Sequence, residues 1–110
     1  MSTNRTSYVY VGLAGETAPG RPVKSGLYRM AAGDETWELL TLGLPEAPAI
    51  RAIATHPEDA DVVYVGTQAG VYRSADHGEH WERLEIKDHG LPVWSLLFDP
   101  RDPDVLYAGY

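Results

Sequence analysis

The chain has 110 residues, enough for one small domain, and 44% of them are hydrophobic. Nine basic against sixteen acidic residues leave a net charge of −7, with no Lys/Arg cluster to release the counterions of a phosphate backbone, so nucleic acid is not an expected partner. The absence of cysteine excludes disulfides, thiolate metal sites and a cysteine nucleophile; together with a polar start and no long apolar run, this reads as a cytoplasmic protein without a membrane partner.

In chain order, short segments rich in Val, Ile, Leu, Tyr and Trp alternate with clusters of Gly, Pro, Asp and Asn. Strands are expected over residues 8–13, 26–30 and 36–40, then 49–55, 61–67, 70–74 and 80–86, then 92–98 and 104–110. No segment carries a sustained 3.6-residue apolar period, so the expected class is all-β.

The segments repeat. His56-Pro57-Glu58-Asp59-Ala60-Asp61-Val62-Val63-Tyr64-Val65-Gly66 returns 43 residues later as Asp99-Pro100-Arg101-Asp102-Pro103-Asp104-Val105-Leu106-Tyr107-Ala108-Gly109. Gly26-Leu27-Tyr28-Arg29 returns 44 residues later as Gly70-Val71-Tyr72-Arg73, and Trp37-Glu38 as Trp81-Glu82. With the four strands of one unit lettered A to D, the chain reads B-C-D, A-B-C-D, A-B. Units of this length built from four antiparallel strands are the blades of a β-propeller, about two and a quarter of them here. The expected layout is a partial propeller over 1–110, with blade 1 (strands B to D) at about 8–41, blade 2 at about 49–86 and the start of blade 3 at about 92–110. Open blades leave strand edges and apolar faces uncovered. Other copies of the chain or missing blades are therefore the expected partners, and three copies would supply about six blades.

The segment Ser74-Ala75-Asp76-His77-Gly78-Glu79-His80-Trp81 reads S-x-D-x-G-x-x-W. It resembles the Asp-box (BNR) repeat of sialidases, sortilin-type receptors, propeller xyloglucanases and photosystem II assembly-factor-like proteins. The run 99–109 is similar to the A–B hairpin of the sortilin and xyloglucanase branch. The resemblance implies structural work for the box. Asp76 and Ser74 bond the backbone of the turn, Gly78 takes a positive φ, and Trp81 fills the space beneath. The earlier copy, residues 30–37, keeps Trp37 and lacks the Ser, Asp and Gly.

His77 and His80 form H-x-x-H between acids, but a turn and strand alternation splay such side chains, so no metal is expected. No cofactor motif is present: there is no phosphate loop, G-x-S-x-G or H-E-x-x-H. Sialidase chemistry would need an arginine cluster and a Phe/Tyr-Arg-Ile-Pro signature, which Arg21-Pro22 is not. No catalytic residue is assigned.

In the propeller layout the A–B and C–D turns share one end and the B–C and D–A loops the other, which in this group is the usual ligand end. Arg51 and Trp94 fall there at equivalent places, with Arg21 and Lys24 in the long 14–25 connection and His89 in a D–A loop. Arg can clamp a carboxylate and Trp can stack on a sugar, so a carbohydrate or other small molecule is the ligand class these residues would serve. The leading reading is a non-enzymatic Asp-box propeller module, a binding or assembly scaffold that completes a ring with other copies. The alternatives are a propeller glycoside hydrolase-like enzyme whose site needs other blades, and a truncated or engineered fragment with no activity of its own.

Overall fold

The computed structural model describes residues 7–14, 25–85 and 91–110. These residues contain no helix and nine strands, at β1 (Tyr8–Ala14), β2 (Ser25–Ala31), β3 (Glu38–Leu40), β4 (Ala52–Thr55), β5 (Val63–Thr67), β6 (Gly70–Ser74), β7 (Glu82–Arg83), β8 (Ser95–Phe98) and β9 (Leu106–Gly109). The all-β expectation is met, and each strand lies where the sequence pattern puts one. All pairings are antiparallel and sequential. They give a three-stranded sheet β1-β2-β3, a four-stranded sheet β4-β5-β6-β7 and a two-stranded sheet β8-β9.

The ends of some strands differ from the sequence expectation for identifiable reasons. The ladder of the second sheet starts at Ala52 rather than Ala49, because the chain first spans two sheets: Ile50 N donates to Leu13 O at 3.1 Å and Arg51 N to Gly66 O at 2.9 Å. The third sheet repeats the device, with Val93 N on Thr67 O at 2.9 Å and Trp94 N on Gly109 O at 2.7 Å. β7 starts at Glu82 rather than His80 because His80 and Trp81 bond elsewhere: His80 N donates to Asp76 and Trp81 N to Leu42 O.

Side chains alternate between the two faces of each strand, and both faces of the middle sheet are covered. Val63 and Val65 point at the first sheet and are fully buried with Leu27, Leu40, Ile50, Tyr72 and Trp81. Tyr64 and Gly66 point at the third sheet, where the Tyr64 and Phe98 rings meet edge-on at 5.6 Å. Each buried valine of this kind contributes about 1.5–3 kcal/mol. Two glycines set the spacing of the seams. A Cβ on Gly12 would overlap the Ile50 side chain, and one on Gly66 would lie 2.7 Å from Val93 Cγ1. Gly12 and Gly66 are the same position in two copies of the repeat, as are Ile50 and Val93. The seat that joins one sheet to the next is therefore itself repeated.

Bonds between connections show which of them share an end. His77 N, in the β6–β7 turn, donates to Asp61 O, beside the β4–β5 turn. Gln68, in the β5–β6 turn, accepts from Ala49 N at 2.7 Å and donates to Ala47 O at 3.3 Å, in the β3–β4 loop. Around the second sheet the A–B and C–D turns thus lie at one end, and the β5–β6 turn and the β3–β4 loop at the other.

Candidate functional site

The seam between the first two sheets is built around the turn at 74–81. Ser74 Oγ accepts from Gly78 N at 2.8 Å and Asp76 N at 3.3 Å, and donates to Asp76 Oδ1 at 2.7 Å. Asp76 Oδ1 accepts from His80 N at 2.9 Å, while its Oδ2 faces His80 Nδ1 at 2.7 Å. Trp81 Nε1 donates to Gly78 O at 3.0 Å beneath the turn. Gly78 has φ +96°, which a side chain rarely adopts. Burial opposes a charge on Asp76, but the His80 N–H, the His80 ring and the Ser74 hydroxyl prevail and hold its carboxyl down at about 2. Ser74 is 1% exposed and its hydroxyl is engaged within the turn, so it is a structural group rather than a nucleophile.

The first sheet grips this turn with two side chains that the sequence reading did not single out. Arg29, buried on β2, donates to His77 O at 2.6 Å and pairs with Glu79 at 2.8 Å and Glu38 at 2.5 Å. Burial works against its charge, and the two glutamates more than restore it, raising its pKa. Tyr10 on β1 donates its hydroxyl to the same carbonyl at 3.0 Å; burial is the main cause that pushes its pKa up to about 12. Tyr8 stacks on the His77 ring at 5.3 Å and lies 4.7 Å from the Arg29 guanidinium carbon. The available signal was Arg29 itself, which recurs as Arg73 in the second copy of Gly-x-Tyr-Arg.

Trp37 is the expected turn residue that the structure treats differently. It is 46% exposed, against 4% for Trp81. Trp81 packs on the preceding sheet, its N–H on Leu42 O and its carbonyl pressed so close to Gly43 that no Cβ fits there. Among the described residues no sheet precedes the one that Trp37 leads into, and its ring stays half-exposed.

At the opposite end, Arg51 and Trp94 are brought together. The Arg51 guanidinium carbon lies 4.0 Å from the center of the Trp94 ring, a cation–π stack. Trp94 remains 57% exposed, while Arg51 Nε is buried and has no hydrogen-bond partner among the described residues. The stack covers one indole face. Arg21, Lys24 and His89, expected at the same end, lie outside the described residues.

His77 and His80 do not converge. His77 Nδ1 faces Asp61 at 3.2 Å and His80 Nδ1 faces Asp76, and among the described residues no three His, Asp or Glu side chains gather as a metal site. Clefts lined by described residues open along both seams. One of about 660 Å³ lies between the first two sheets, lined by Tyr8, Tyr10, His56, Asp61 and His77. The other, of about 330 Å³, lies between the second and third, lined by Tyr64, Arg73, Phe98, Asp104 and Leu106. Compared with models of known protein families, with curated proteins and with solved structures, the chain matches none.

Proposed function

We propose that this chain is a non-enzymatic scaffold of the Asp-box β-propeller type, whose sheets are continued by the sheets of other copies. One observation carries the reading. Val63 and Val65 are 0% exposed in the seam between sheets, while Val9 and Val11, the same positions one repeat earlier, are 50% and 37% exposed. At the other end of the array Leu97 and Tyr107 are 65% and 54% exposed. The chain thus carries both halves of its own seam, one on each outer sheet. A head-to-tail contact between copies joins unlike faces, and such contacts close into rings when the rotation permits. The side chains best placed for chemistry are engaged in holding turns, which favours assembly over turnover.

The test is solution mass by light scattering across a concentration series. A discrete multimer is expected, and the double substitution Val9→Lys, Val11→Lys should reduce it to the monomer. A wild-type chain that stays monomeric at every concentration would overturn the reading.

A further inference from the structure

The seam between the first two sheets has a counterpart between the second and third in which half of the parts are in place. Arg73, Tyr64, Asp104 and Leu106 are the repeat equivalents of Arg29, Tyr10, Asp61 and Val63. In the first seam those four positions surround the 74–81 turn: Arg29 and Tyr10 hold His77 O, Asp61 O accepts from His77 N, and Val63 lies in the core beside them. In the second seam Arg73, Tyr64, Asp104 and Leu106 line the 330 Å³ cleft. Among the described residues Arg73 bonds only sideways, Nε to Tyr64 Oη at 3.2 Å, and has no carboxylate at ion-pair distance. Glu82, paired with Arg73 across β6 and β7, repeats the relation of Glu38 to Arg29. Beside the cleft, β9 has β8 as its one strand neighbour, and among the described residues no strand pairs with its other edge.

We infer that this cleft and the β9 edge together are the seat of a β-hairpin that carries an S-x-D-x-G-x-x-W turn. The hairpin's first strand adds to β9, and its turn enters the cleft. There Arg73 takes the main-chain carbonyl before the turn glycine and the carboxylate after it, as Arg29 takes His77 O and Glu79. Backbone pairing along an edge supplies affinity, and the turn supplies specificity. The inference rests on the stacked-sheet reading above and adds a second kind of partner, a hairpin from outside the folded chain, since the 74–81 turn of a folded copy is held in that copy's own first seam.

A labelled peptide of residues 70–84 is the probe, titrated by fluorescence anisotropy against the full chain carrying Val9→Lys and Val11→Lys. Those substitutions sit on an exposed face and leave the seat untouched. Saturable binding is expected. Arg73→Gln in the protein should weaken it at least about tenfold, the typical loss of a charge-assisted bond, and so should Glu79→Gln in the peptide. A peptide with Gly78→Val, which resists the positive φ, should fail to bind. Absence of saturable binding to a folded protein, or binding indifferent to Arg73→Gln, would overturn the inference. The mass of the wild-type chain judges the scaffold reading separately: a multimer without peptide binding removes only the seat, and peptide binding to a chain that never multimerises removes only the assembly by copies.

Discussion

Val65 is sealed beneath the first sheet, and Val11, which occupies the same strand position one repeat earlier, stands 37% exposed on that sheet's far side. The two residues have the same chemistry and the same local structure. What differs is whether a neighbouring sheet is present.

That difference predicts opposite behaviour on truncation. Val65→Ala removes two buried methyl groups and leaves a space in a packed seam, so it should cost about 1–3 kcal/mol of folding free energy. Val11→Ala should change chemical-denaturation stability by about 0.5 kcal/mol or less in the dilute monomer. Its effect should appear instead as weaker self-association in a concentration series. Equal losses of monomer stability in the two variants would contradict the assignment of Val11 to an uncovered face.

The two tryptophans supply the same comparison on a larger scale. Trp81→Ala empties the space under the turn and orphans Gly78 O, and should cost about 3–5 kcal/mol. Trp37→Ala, at a half-exposed ring, should cost about 1 kcal/mol or less. Thermal melts of the two variants, read by strand circular dichroism, decide it. The result fails the structure if Trp37→Ala is the more damaging.

Much of this architecture is legible in the sequence because alternation and turn residues act locally. Tyr8–Ala14 and Gly70–Ser74 announce themselves through β-branched and aromatic residues bounded by Gly, Asp or Ser. The turn at 74–81 is legible for the same reason, since Ser74, Asp76, Gly78 and Trp81 bond one another within eight residues. Arg29 was not legible as the center of the seam, because its partners His77 and Glu79 lie 48 and 50 residues away. The late start of β7 was hidden too: Trp81 looks like a strand residue but gives its main-chain N–H to Leu42 O in the β3–β4 loop. The Arg51–Trp94 stack joins two residues that the repeat marks only as equivalent, and equivalence in a repeat does not by itself imply contact.

Asp76 makes the turn sensitive to acid, and the sign follows from its depressed pKa. In the unfolded chain the carboxyl titrates near 3.8, and in the turn at about 2. The folded state therefore binds fewer protons than the unfolded one between these values. The contribution is fully present above about pH 4 and is lost as the pH falls toward 2. The side chain is 42% exposed, so solvent screening limits the contribution to about 1 kcal/mol. Asp76→Asn keeps an oxygen to accept from His80 N and removes the charge. The variant should be less stable than the parent by about that amount at pH 5, and the two should converge by pH 2. Urea midpoints measured at both pH values test this. A gap of unchanged size at pH 2 would show that Asp76 acts through shape alone, and that its charge contributes nothing to the turn.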